Sequence, residues 1–212
     1  MDWLSRVAAV AGLAAALAAC SSGGTNFETE GLVAPPVRCS VKPSDIGLAE
    51  RLRAINERNG CEVPNPWRVY QLSNVKFNQP ATLNCGLADP LNDWMQNAVE
   101  PAAQRSFGKS VISVDIAASY SCRARNNQSG AKMSEHGYGN AIDISAFNLE
   151  GGRRVTVLEG WSGKADERGF LRWVRQEACA DFMTVLGPGS DHHHRDHIHL
   201  DLQNRRGSHY CQ

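Results

Sequence analysis

No surplus of charge of either sign is present: 22 lysines and arginines meet 22 aspartates and glutamates in 212 residues. That balance argues against nucleic acid or an anionic surface as the partner, because both call for a basic face. No cysteine pair has the Cys-x-x-Cys spacing, which argues against a thiolate metal site. The apolar run Val7–Ala19 is shorter than the ~20 residues a membrane-crossing helix needs. No internal repeat and no low-complexity block is visible. What remains is ordinary globular composition, 42% apolar and 21% charged, in a chain long enough for one domain with a real core.

The first residues read as a leader. Met1–Arg6 is weakly basic, and Val7–Ala19 has the size of a signal-peptide core. Leu17-Ala18-Ala19-Cys20, followed by Ser21-Ser22-Gly23-Gly24, resembles a bacterial lipobox. Residues 1–19 are therefore expected to be removed and Cys20 to carry the lipid that holds the protein to a membrane. Residues 20–38 contain Gly23-Gly24 and Pro35-Pro36, lack any period, and read as a tether. Residues 39–212 are left as the domain. Setting Cys20 aside leaves Cys39, Cys61, Cys85, Cys122, Cys179 and Cys211. An even number in an exported chain predicts three disulfides, with 15 pairings open.

Periodicity predicts the elements. Ser44–Asn59 reads as a helix with Ile46, Ala49, Leu52 and Ile55 on one stripe and Gly60 as its stop. Residues 64–80, with three prolines, read as loop and edge strand. Pro90–Phe107 is the clearest helix, with a kink or break expected at Pro101. Strands are expected over Val111–Ile116, Ala141–Phe147, Val155–Val157, Met183–Leu186 and His197–Leu202, and a further helix over Asp166–Phe182. The fold class is α+β: a small, mostly antiparallel sheet carrying the site, packed against helices.

The chemistry is concentrated in two stretches, Ser134-Glu-His136-Gly-Tyr-Gly-Asn-Ala-Ile-Asp143 and His194-Arg-Asp196-His197-Ile-His199. Two neutral imidazoles and one carboxylate suit a single zinc ion with a fourth position left for water. In an extended strand His197, His199 and Asp201 share one face while Ile198, Leu200 and Leu202 take the other. Asp143 projects from a second strand, and the glycine-containing loop before it lets His136 curl toward the same point. Antiparallel pairing of the two strands then makes a His136/Asp143/His199 tripod. Asp201 reads either as an orienter of a ligand histidine or as a strand-end surface charge. His192, His193 and His209 read as plain polar residues.

Ser134-x-His136-x-x-Gly139-x-Ala141-x-Asp143 with His197-x-His199 resembles the LAS zinc metallopeptidases, which include D-alanyl-D-alanine carboxypeptidases, dipeptidases and murein endopeptidases. More closely, residues 39–211 look like the bacterial extensin-like C-terminal family, through Ser119-Tyr-Ser-Cys-Arg123, Ser134-Glu-His136, Val185-Leu-Gly-Pro188 and Asp196-His-Ile-His-Leu-Asp201. The resemblance implies zinc on His136, Asp143 and His199, with His197 beside the metal water. His194 matches the extra histidine of the endopeptidase branch. The carboxypeptidase branch has glutamate where this chain has Asp196, so His197 ranks ahead of Asp196 as general base. Arg123 matches an arginine that holds a substrate carboxylate or the oxyanion, the alternative being a surface salt bridge.

The expected function is zinc-dependent hydrolysis of peptidoglycan stem peptides or cross-links, at D-Ala-containing amide bonds. The expected place is the bacterial envelope, lipid-anchored, facing the periplasm, with the outer membrane favoured. The alternative is a non-catalytic peptidoglycan-binding or structural lipoprotein that retains the metal site.

Overall fold

The computed structural model describes residues 39–212, so the leader, Cys20 and the tether lie outside the described residues. A single helical turn, α1 (Pro43–Ile46), leads into β1 (Gly47–Arg51). Two short strands, β2 (Ile55–Asn56) and β3 (Glu62–Val63), pair with each other apart from the main sheet. β4 (Pro66–Leu72) and β5 (Val75–Asn84) form a hairpin. A long helical stretch follows: α2 (Cys85–Trp94), a π-helical turn over Met95–Val99, and α3 (Glu100–Phe107). Then come β6 (Val111–Ala118), β7 (Ala141–Leu149), β8 (Arg154–Thr156), α4 (Val157–Gly160) and α5 (Ala165–Asp181). The chain closes with β9 (Thr184–Leu186), β10 (Ile198–Asp201) and β11 (Tyr210–Cys211).

The fold is α+β, but the sheet is neither small nor mostly antiparallel. It has nine strands in the order β1-β4-β5-β6-β7-β10-β9-β11, with β8 paired to β7. It is mixed, because β5–β6 and β9–β11 run parallel. The first parallel pair follows from its connection: the helical stretch Cys85–Phe107 carries the chain back across the sheet, as parallel neighbours require.

Three expectations about single elements are corrected. The Ser44–Asn59 helix is confined to Pro43–Ile46, and Gly47–Arg51 is extended against β4. Gly47 has φ +144°, and a Cβ there would meet the Gln71 carbonyl oxygen at 2.4 Å, so close strand contact replaces the helical continuation. The stretch 64–80, read as loop and edge strand, instead supplies β4 and most of β5, and β4 pairs on both sides. Its prolines fit because Pro66 opens β4 and Pro80 lies where the β4–β5 register is interrupted. The helix expected from Pro90 begins at Cys85. The π turn widens it just ahead of Pro101, whose ring would otherwise press on the carbonyl one turn earlier.

The core fills the space between one sheet face and the long helices. Trp94 donates its indole N–H to the Val174 carbonyl at 2.9 Å and meets Phe147 and Phe182 edge-on. Ile142, Ile144, Ile198 and Leu200 join this core from β7 and β10. By alternation, Asp143, His199 and Asp201 point to the opposite face. The six cysteines pair as Cys39–Cys85, Cys61–Cys122 and Cys179–Cys211.

Asn84, fully buried, joins the helical layer to the site. Its side-chain oxygen caps α2 by accepting from the Leu87 N–H at 3.1 Å. Its amide donates to the Asn140 side chain at 3.1 Å, and its own N–H donates to the Gly139 carbonyl at 2.7 Å. Asn84→Ala removes the cap and leaves Asn140 short of a partner. The expected cost is about 2 kcal/mol, read as a lower urea midpoint with an unchanged slope.

Candidate metal centre

The centre is set by one strand pairing. β7 and β10 run antiparallel with Asp143 directly opposite His199. The Asp143 Oδ1 lies 2.7 Å from the His199 Nδ1, and the His199 Nε2 lies 2.9 Å from the Asp201 Oδ2. His199 is thus held between two buried carboxylates. β7 also pairs with β6, where Ala118 sits opposite Asp143 beside irregularities in the ladder. The chain then leaves β6 at Ser119, and its carbonyl accepts the Nδ1–H of His136 at 2.6 Å. That bond fixes the tautomer and turns the His136 Nε2 toward Asp143 Oδ2, 3.2 Å away.

His136 lies on a 3₁₀ turn, Glu135–Tyr138, capped by the Ser134 hydroxyl. The turn packs tightly on the Cys61–Cys122 disulfide: a Cβ at Gly137 would meet the Cys61 sulfur and the Met133 sulfur at 2.9 Å. Gly139 ends the turn in the left-handed region at φ +60°, with its carbonyl held by Asn84.

The electrostatics follow from crowding. Burial would raise the Asp143 pKa, yet hydrogen bonds from His136 and His199, and their charge, hold it well below the usual carboxylate value. Burial would lower the His199 pKa, but Asp143 and Asp201 push it up to about 10. Asp201, whose burial works the other way, is held low by His199, Thr184 and the Gln203 N–H.

His136, Asp143, His194, His197, His199, Asp201 and Arg123 all line one open cleft of about 350 Å³. His197, just before β10, brings its Nε2 to 3.7 Å from Asp143 Oδ1. Its Nδ1 is bonded at 2.8 Å to Asp196, whose largely exposed carboxylate sits behind the imidazole rather than in the cleft lining. His194 lies tilted against His197 and edge-on to His199, with ring centroids 5.2 and 5.6 Å away. Burial keeps the His194 pKa below its ordinary value, against the pull of Asp191. Arg123 lines the cleft. Asp201 orients His199 and is not a surface charge. His193 also lines the cleft, whereas His209 is exposed and bonds the Cys179 carbonyl.

Sequence reasoning passed over the Ser119 carbonyl and Asp191. The carboxylate of Asp191 accepts from the His194 Nδ1–H at 2.7 Å and from the His193 and His194 backbone N–H groups. A backbone acceptor leaves no trace in residue identity. Asp191 had one available signal, its position three residues before His194 in a glycine- and proline-rich loop.

The donor set fits a small divalent cation. One ligand atom from each of His136, Asp143 and His199 lies within 4.8 Å of the others. Ligands of a tetrahedral zinc ion are about 3.4 Å apart, from bonds of ~2.1 Å. With its Nδ1–H committed to Ser119, the His136 Nε2 faces the Asp143 carboxylate at 3.2 Å, where a proton or a metal ion can sit between them. His199 reaches the same point through Nδ1 while Asp201 fixes Nε2–H.

Residues 38–212 match the sequence family described as "Extensin-like protein C-terminus". No curated protein and no solved structure matches the chain.

Metal uptake is expected to release a proton. In the metal-free protein His199 carries a proton at pH 7, because its pKa stands at about 10. A metal ion displaces that proton from Nδ1, so affinity rises with pH, by about tenfold per unit, and levels off above the raised pKa. Calorimetric titration with zinc at one pH in buffers of different ionisation enthalpy should report about one proton released. A buffer-independent enthalpy would contradict it.

Proposed function

The chain belongs to the extensin-like C-terminal family, and from that footing we propose that it is a zinc-dependent hydrolase acting on peptidoglycan stem peptides or cross-links at D-Ala-containing amide bonds. The reading extends to a link with the LAS zinc metallopeptidases, of carboxypeptidase or murein endopeptidase type. The observation that carries it is the buried His136, Asp143 and His199 set opening onto a cleft lined by His194, His197 and Arg123.

When bound, zinc supplies a Lewis acid and a water of lowered pKa. The protein does the rest. His197, with Nδ1 tied to Asp196, turns Nε2 toward the cleft, where it takes a proton from the attacking water. The water oxygen bonds to the carbonyl carbon, the C–N bond breaks, and the proton passes to the departing amine. His194, its Nδ1–H anchored by Asp191, presents an unprotonated Nε2 to the cleft as a second proton acceptor. Arg123 stabilises the developing oxyanion or holds a substrate carboxylate. The lipobox-like Cys20 and the three disulfides support a reading as an envelope protein anchored by lipid and facing the periplasm.

Purified full chain is tested for zinc content and for muropeptides released from peptidoglycan, followed by mass spectrometry. His199→Ala should lose both zinc and activity. His197→Ala should keep most of the zinc while activity falls at least ~100-fold. Zinc retained without cleavage by the wild type would favour a binding or structural lipoprotein, with His197 closing the site as a fourth ligand. Cys20→Ala should move the protein from the membrane fraction to the soluble fraction, and unchanged fractionation would sink the anchor.

A further inference from the structure

We infer that Arg205 forms a carboxylate-binding subsite at the Asp201 end of the cleft, so that the preferred substrate carries a second carboxylate beside the scissile amide. This rests on the hydrolase reading and names the class of peptide that it takes.

The cleft has two chemically different ends. β9 pairs with β10 so that Leu186 lies opposite His199 and Thr184 opposite Asp201. Beyond the Leu186 end stand the imidazoles of His194 and His197. Beyond the Thr184 end stand Arg205, Gln203, Glu135 and Arg125, all lining the same cleft.

The acids of the cleft are already engaged. Asp143 is bonded by two imidazoles, and Asp201 by His199 and the Gln203 N–H. Asp191 is bonded by His194 and two backbone N–H groups. Glu135 accepts from Asn140 at 2.8 Å and from Gln203 at 3.1 Å, and Arg125 reaches it only at 3.8 Å. Arg205 is not matched in return. Among the described residues no carboxylate lies within 4.0 Å of the Arg205 guanidinium.

Arg205 is nevertheless held in place. Its Nε–H donates to the Thr184 hydroxyl at 2.9 Å, and its guanidinium lies over the Tyr210 ring, 4.8 Å from the centroid. Tyr210 belongs to β11, which pairs with β9 and is tied to α5 through Cys179–Cys211. The Arg205 carbonyl accepts from the Ser208 hydroxyl at 3.1 Å. With Nε occupied, the two terminal nitrogens remain to grip a carboxylate as a fork. Thr184 lies opposite Asp201 in the β9–β10 pairing, and Asp201 bonds His199, so the fork stands two side chains from a residue of the ligand set. A fixed but unpaired guanidinium at that distance selects an anion on the substrate, not on the protein.

The test uses the full chain and two synthetic stem pentapeptides, one with its internal carboxylates free and one with them amidated. Binding is read by calorimetry and cleavage by mass spectrometry, for wild type, Arg205→Gln and Arg205→Lys. Wild type should prefer the free peptide about tenfold or more. Arg205→Gln should lose that preference with zinc content and circular dichroism unchanged, and Arg205→Lys should keep part of it. No preference in the wild type, or a full preference kept by Arg205→Gln, overturns the subsite. Should the glutamine variant not fold, the lysine variant and the wild-type comparison still decide. Cleavage of both peptides alike leaves the hydrolase standing and removes the subsite. An Arg205-dependent preference without cleavage does the reverse.

Discussion

The pairing of β7 with β10 is the constraint on which the rest depends. It places Asp143 across from His199 on one face and Ile142, Ile144, Ile198 and Leu200 in the core on the other. Because side chains alternate with a period of two, a slip of one residue would turn His199 into the aliphatic core and Leu200 toward the cleft. The burial of those aliphatic side chains, roughly 1.5–3 kcal/mol each, therefore fixes the ligand register as well. Core and candidate site are one register decision, and the site needs no separate device to align its two strands.

The third arm, His136, comes from a loop and needs other supports. The Ser119 carbonyl sets the imidazole, the Cys61–Cys122 disulfide backs the turn at Gly137, and Asn84 grips its exit at Gly139. These contacts reach the loop from β6, from the β2–β3 arm and from the start of α2. Around the ligands, each of His194, His197 and His199 has its own aspartate: Asp191, Asp196 and Asp201. A carboxylate on one ring nitrogen commits the other to the cleft, so the imidazoles enter the site with their orientations already decided.

Much of this was legible in the sequence where short-range pattern and long-range packing agree. The alternation in His197–Leu202 and the apolar stretch Ala141–Phe147 marked the two strands, and the residue types pointed to the convergence of His136, Asp143 and His199. Residues 44–59 were misread because Ile46, Ala49, Leu52 and Ile55 have a helical spacing, while strand pairing with β4 and the close approach at Gly47 prevailed. Residues 64–80 were misread because prolines tolerated at a strand start and at a register interruption look the same in sequence as prolines in a loop. The parallel pairs were invisible, since they depend on connections and not on local pattern. Disulfide partners and the Arg205 support from Thr184 and Tyr210 likewise join segments far apart in sequence.

β10 lies between β7 and β9, although it is the last of the three to be made. Until residues 198–201 arrive, β7 has an unsatisfied edge and β9 has nothing to bridge to it. The strand enters as a keystone, closing a gap left by more than fifty earlier residues, which is the kind of non-local closure that slows folding. A chain emerging from its amino end would hold His136 and Asp143 early but gain His199 only near completion. Completion of the candidate metal set thereby becomes a late step of assembly, reached only when almost the whole domain is in place.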